Sequence, residues 1–266
     1  MYIERRMVTI RTIGRRNRAN LSGFTLNVID LKNPWIVACW SLFNPGFGHV
    51  RLCKFVVAWV LVIWELVTNF TSHLNLAIIY TFTGHPEMAK SVLNKRMLFF
   101  YLPVYVYAFY DSYRSCVEVN NQYILADRED AKLKLFHIGP LEINFLEKRS
   151  PIIAVLWSLF IPGLGQMFNN RITSGIFVLT WWMVIMYLCH GFEGMYYTFY
   201  GQFDKALHLL HPEWLLFLPS MYGFAAYDAY CTTIEYNKLF EKEKSQFLRE
   251  QYQNKDFPMW IKTHES

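Results

Sequence analysis

Charge is scarce in this chain. Lys, Arg, Asp and Glu together make up 18% of its 266 residues, against about a quarter in a soluble domain. Paired cysteines are missing as well. The five present (Cys39, Cys53, Cys116, Cys189 and Cys231) are scattered, odd in number and never spaced as C-x-x-C. That pattern excludes a disulfide framework and a zinc knuckle as expectations, and leaves apolar filler. Catalytic signatures are absent too. There is no H-E-x-x-H, G-x-S-x-G, Walker loop or G-x-G-x-x-G. Ser41 and Ser158 have no His or Asp at a nucleophile-activating spacing. The chain is read as non-enzymatic, with no cofactor and no metal. Nothing in it looks like a nucleic-acid recognition module, so nucleic acid is not an expected partner.

Apolar residues are what the chain has instead: 53% hydrophobic and 18% aromatic. They fall into blocks, which points to a multi-pass membrane protein. The net charge is +5, and residues 1–33 hold seven basic and two acidic residues, enough to account for all of it. The tail has no apolar core followed by small residues, so it is not read as a secretory signal. A basic tail before the first apolar block reads as cytosolic.

Shifted by 117 residues, the sequence aligns with itself. Pro34 meets Pro151, and Trp40-Ser41-Leu42-Phe43 meets Trp157-Ser158-Leu159-Phe160. Pro45, Gly46 and Gly48 meet Pro162, Gly163 and Gly165. Further on, Tyr80-Thr81-Phe82 meets Tyr197-Thr198-Phe199, and Tyr110-Asp111 meets Tyr227-Asp228. Chance similarity of apolar segments does not hold Pro, Gly and Asp in register. The expected architecture is all-α: a helical membrane bundle of two tandem repeats, 34–120 and 151–237. A cytosolic linker (121–150) joins them, a basic N-tail (1–33) precedes them and an amphipathic C-terminal tail (238–266) follows.

Each unit has three apolar blocks. The first, 34–50 and 151–168, runs only eleven residues before its Pro-Gly turn. At 1.5 Å per residue that is about 17 Å of helix, too short for a ~30 Å hydrocarbon core. Pro removes a backbone donor and Gly frees the chain to turn. The block is thus either a broken span or a half-helix that returns to its own side. Lys and Arg decide between them. The N-tail has seven, segment 114–149 six and segment 232–266 six. The loops 71–97 and 191–212 have three and one. The positive-inside rule puts both termini and the linker in the cytosol. Each repeat then crosses an even number of times, and the Pro-Gly block is the one that does not cross. The rival, three crossings per repeat, inverts the second copy in the manner of many transporters.

The stretch "LWSLFIPGLGQMFNNRITSGI" resembles a motif of small bacterial polytopic membrane proteins, in which an apolar helix runs into P-G-L-G-Q, a short turn and a second helix. It is more distantly similar to the TM-two domain family, which joins two helices by a Gly-rich turn with His and carries an Asp late in the second. Gly46, Gly48 and His49 match that turn in the first copy. Gly163 and Gly165 match it in the second, where Gln166 replaces His. Asp111 and Asp228 match the Asp, with a loop and a helix inserted between turn and Asp. The resemblance implies a bacterial cytoplasmic membrane and says little of mechanism.

The candidate polar site is Asp111 and Asp228 with Tyr110 and Tyr227, joined by His73 and His190 at the outer end of the second block. Ionisable groups in membrane helices are costly and usually face partners. The expected role of each Asp is interfacial, accepting from backbone amides of the Pro-Gly turn. The alternative is a proton or cation site made by the two Asp between the repeats. The paired histidines are read as interfacial packing, because no second metal ligand is suitably spaced. Glu65 has no acidic counterpart, since Trp182 stands at its matching position, so it is either an interface residue or a ligand group of the first copy alone. The C-terminal tail reads as a helix extending from the third block. The functional expectation is a scaffold or accessory subunit, with the bilayer and a membrane-protein partner or a second copy as its contacts. A small-solute or ion transporter is the alternative.

Overall fold

A computed structural model describes residues 16–22, 25–129, 136–139 and 143–252. Most of the N-tail's arginines and the end of the C-tail lie outside these residues. The described chain is mostly helical, as the apolar blocks lead one to expect, with two short antiparallel hairpins.

The first hairpin pairs β1 (Ala19–Leu21) with β2 (Leu26–Val28). Helices α1 (Pro34–Phe43), α2 (Phe47–Arg51), α3 (Phe55–Ser72), α4 (Leu74–Phe82), α5 (Pro86–Val92) and α6 (Lys95–Glu129) follow. The second hairpin pairs β3 (Phe136–Ile138) with β4 (Ile143–Phe145). After it come α7 (Pro151–Phe160), α8 (Leu164–Phe168), α9 (Ile172–Leu188), α10 (Gly191–Phe199), α11 (Phe203–Leu209), α12 (Pro212–Leu215) and α13 (Phe217–Tyr252).

Local chemistry sets these ends. Proline at the first helical position starts α1 and α7, where its missing N–H is no loss. The Asn33 side chain caps α1 by accepting from the Trp35 amide at 2.9 Å. Both helices stop where the backbone swings to extended geometry, at Asn44 and Ile161. Gly46 and Gly163 then take φ of 112° and 107°, a region costly for any side chain. Three more left-handed pairs sit at the same 117-residue offset: Cys53 with Asn170, His73 with His190, and Gly84 with Gly201.

Packing follows the same pairing. Helix α1 lies along α6, and α7 lies along α13. Asn120 accepts from the Lys32 amide and donates to its carbonyl, and Asn237 treats Arg149 in the same way. The core forms where the two series meet. Phe47 stacks on Phe224 at 4.5 Å, while Trp59 packs against Phe177 at 4.9 Å and Trp181 at 5.0 Å.

Helix α6 runs on to Glu129, so the segment expected as linker begins as helix. Helix α13 likewise continues through the expected C-tail to Tyr252. The outer loops also fold, into α4–α5 and α10–α11. The segment "DKALHLLHPEW" forms most of α11 and the start of α12.

Candidate functional site

The chain goes down one side of α6 and comes back up. The Trp35 ring lies 4.8 Å from Tyr113, at the start of α1. Near its end, the Leu42 carbonyl accepts from the Tyr105 hydroxyl. After the Pro45-Gly46 turn, His49 Nε2 meets Asp111 Oδ2 at 3.0 Å, and Lys54 donates to Ser115 Oγ at 2.6 Å. By residue 54 the chain has returned to the level of α6 from which α1 set out, near Tyr113 and Ser115. Gly48 allows the return limb to sit against α1. A Cβ there would lie 2.7 Å from the Val37 carbonyl oxygen and 2.9 Å from Ser112 Cβ. Gly165 is held equally close, with Ser158 Oγ and the Ala154 carbonyl oxygen against it.

The second half repeats this path with different chemistry. Gln166 takes the place of His49 and donates to the Ala225 carbonyl at 2.9 Å and to Asp228 Oδ2 at 3.3 Å. Arg171 takes the place of Lys54. Its Nη1 lies 3.0 and 2.9 Å from the two Asp228 oxygens and 3.0 Å from Thr232 Oγ1.

Arg51 reaches over from the first half. Its Nη1 lies 3.3 Å from Asp228 Oδ1 and 3.0 Å from Thr232 Oγ1, and its Nη2 lies 3.4 Å from Asp30 Oδ2. Asp30 also pairs with Lys32. Asp228 is fully buried, and Arg51 and Arg171 nearly so. A buried charge persists only when paired and hydrogen-bonded, and here one carboxylate bridges two guanidinium groups from different halves. Burial pushes the Lys32 pKa down and Arg51 adds to the shift, while Asp30 opposes it. Both Asp228 oxygens have donors. The cluster therefore ties the halves together, and neither Asp228 oxygen is left without a donor.

Of the residues singled out in the sequence, the structure gives the two aspartates separate partners. Asp111 pairs with His49 and stays partly exposed, whereas Asp228 sits in the arginine cluster. Those partners are side chains and not the turn's amides. The reason is local: after each turn the chain re-forms helix, so amides such as Val50 and Met167 bond back to Gly46 and Gly163. Tyr110 is exposed, and Tyr227 packs 5.3 Å from Trp40. His73 Nδ1 lies 3.1 Å from Glu213 Oε1, tying the α3–α4 corner to α12. His190 sits 3.7 Å from Glu193 and 5.2 Å, ring to ring, from His211. Among the described residues, no three His, Cys, Asp or Glu side chains are placed to hold a metal.

Sequence reasoning missed Arg51 and the inward role of Asp30. Phe168 stands at the position matching Arg51, so a search for features shared by both copies passes over it. The one available signal was an arginine directly behind an apolar block. No protein-family model, curated protein or solved structure matches this chain. The functional reading therefore rests on the geometry above.

Proposed function

We propose that the chain is an integral protein of a bacterial cytoplasmic membrane, built from two parallel copies of one unit. It serves there as a non-enzymatic scaffold or accessory subunit. The observation that carries this reading is the inverted distribution of polarity. Arginine and aspartate are buried in an ion-paired cluster, while large apolar side chains cover the outside: Val56 is 80% exposed, Phe160 70%, Phe199 85% and Phe82 87%. Water-soluble monomers rarely expose apolar patches beyond a few hundred Å². Lipid tails remove that cost.

Two segments support a bilayer setting by length and composition. Phe55–Ser72 is long and apolar enough to span alone, and Ile172–Leu188 passes together with Gly191–Phe199, from which it bends by 67°. Among the described residues no other helix is as apolar over such a length; we take the Tyr-rich, less apolar first parts of α6 and α13 as the second crossing of each unit. Helices α1 and α7 enter and return without crossing, which agrees with the cytosolic placement of the tail, linker and C-terminus by charge. Irregular backbone at that depth is tolerated because α6 and α13 cover it. The common spacing of hairpins, helices and left-handed residues supports descent of the two halves from one unit. The engagement of Asp228 by two arginines favours a structural role over an ion pathway. Partners, a second copy included, would dock on the exposed aromatic and aliphatic faces through close packing.

The test is the sidedness of the linker. A single cysteine at position 137 is expected to be protected from an impermeant thiol reagent in intact cells, and one at 202 to be labelled.

A further inference from the structure

Two clefts share matching wall positions: one lies among α9, α10, α12 and the start of α13, the other among α1, α3, α4, the start of α6 and, from the second half, the start of α13. The two clefts line up at the same 117-residue offset, yet their floors differ. In the second half the cleft is about 360 Å³ and its wall carries Met186, Leu218 and Tyr222. Trp182, at the position matching Glu65, donates to the Tyr222 hydroxyl at 3.1 Å. In the first half the cleft is about 730 Å³. There Asn69 and Tyr101 replace Met186 and Leu218, and Glu65 lies at the bottom.

Glu65 is 3% exposed. Its Oε1 accepts from Asn69 Nδ2 at 3.1 Å, and Asn69 is itself fixed by Asn75. Asn75 in turn donates to the Glu213 carbonyl at 2.9 Å. Oε2 is buried and has no hydrogen-bond partner. The Tyr101 hydroxyl lies beside the carboxyl and interacts with it, so the groups nearest the carboxylate are a neutral phenol and a neutral amide. No Lys, Arg or His lines the cleft. Trp40, Phe43, Phe82 and Tyr105 form much of the wall, and Phe43 and Phe82 are themselves exposed, so the cleft opens sideways.

We propose that this cleft binds a hydrophobic organic amine, its ammonium group on Glu65 Oε2 and its apolar body against the aromatic wall. The chemistry selects that class. A carboxylate with one empty oxygen asks for a donor, preferably a charged one, since such bonds are short and strong. Aromatic faces attract cations. A volume of this size matches small-molecule sites, which are apolar with a few placed polar groups. A fixed amide network behind Glu65 holds its carboxyl in one orientation before the ligand arrives. The second cleft, about half the volume and without the charge, serves as an internal control. The inference rests on the membrane placement only for the route of entry, from the lipid side.

The experiment uses the full chain in phosphatidylcholine nanodiscs and dansylcadaverine, a fluorescent primary amine, with empty discs subtracted. Saturable binding is expected, at least tenfold weaker for the N-acetylated probe. Glu65→Gln, which keeps the shape and the Asn69 bond, is expected to weaken the amine at least tenfold. Gly223→Leu, which fills the cleft from α13, abolishes binding. Thr198→Leu in the second cleft leaves it unchanged. Absent saturable binding, equal binding to wild type and Glu65→Gln, or equal binding of the amine and its acetamide would each overturn the proposal. Cysteine sidedness is read on the same proteins, so absent binding by the wild-type chain with correct sidedness refutes this inference alone.

Discussion

The two aspartates at matching positions carry unequal burdens, and substitution separates them. Asp228→Asn keeps the side-chain shape and removes the charge that bridges Arg171 and Arg51, at 2.9 and 3.3 Å. Arg51 keeps Asp30 as an ion-pair partner, whereas Arg171 keeps none among the described residues. Breaking a buried pair by removing one partner costs about 3–5 kcal/mol. For a chain of this size roughly 1 kcal/mol moves Tm by about 2–4 °C. Asp228→Asn is therefore expected to lower Tm by roughly 10 °C. Asp111→Asn removes one bond, to His49, from a side chain still 19% exposed. Its cost is about 1 kcal/mol, or roughly 3 °C. Adding Arg51→Met to Asp228→Asn recovers part of the loss, because one of the two buried guanidinium charges is gone. The assay is thermal unfolding of the purified protein in detergent, followed by near-ultraviolet circular dichroism. Equal shifts for the two single variants would refute the bridging role of Asp228, as would a Tm for Asp228→Asn within about 3 °C of the parent.

Two further outcomes follow from the geometry. Gly165→Ala is expected to cost about 1–3 kcal/mol by overpacking, since its Cβ would strike Ser158 and the Ala154 carbonyl. Gly223→Ala, whose Cβ has 3.6 Å to Trp40, is neutral or gains up to about 1 kcal/mol from helix propensity; chemical denaturation in mixed micelles ranks the pair. Near the end of α6, the hydrogen-bonded Lys242 ammonium holds the Asp127 carboxyl below the usual carboxylate range against the opposing effect of burial, with Arg18 adding to it. A depressed carboxylate stabilises above its ordinary pKa, and that contribution is lost as pH falls through the folded value. Protection factors near the end of α6, corrected for intrinsic exchange, should thus fall on acidification toward pH 3, and Asp127→Asn should show lower protection already at neutral pH.

What was legible in the sequence was local chemistry. Pro45-Gly46 and Pro162-Gly163 announce a turn because Pro cannot donate and Gly alone tolerates the required φ. The apolar blocks announce helices because their composition leaves few other choices. The ends of α6 and α13 were harder. Hydropathy falls near residues 113 and 231, whereas the residues that follow, such as the Gln122–Glu129 stretch with its Leu, Ala, Arg and Glu, favour helix regardless of polarity. The charged cluster was out of reach for a different reason. It joins Asp30, Arg51, Arg171 and Asp228, residues up to 198 positions apart, and no local pattern marks side chains that meet only through tertiary packing. The lateral cleft was half legible. Glu65 stood out by lacking a counterpart in the second copy, but the neighbours that make it a floor come from four other helices.

The central claim is two parallel copies in a bilayer with both ends of the chain on one side. Its most direct measurement replaces the five native cysteines, places one at His137 in β3 or at Gln202 before α11, and labels intact cells with a membrane-impermeant maleimide. Protection at 137 until the cells are opened, with labelling at 202 from outside, is the predicted result. Labelling of position 137 from outside would mean three crossings per copy and an inverted second half, and would contradict the account.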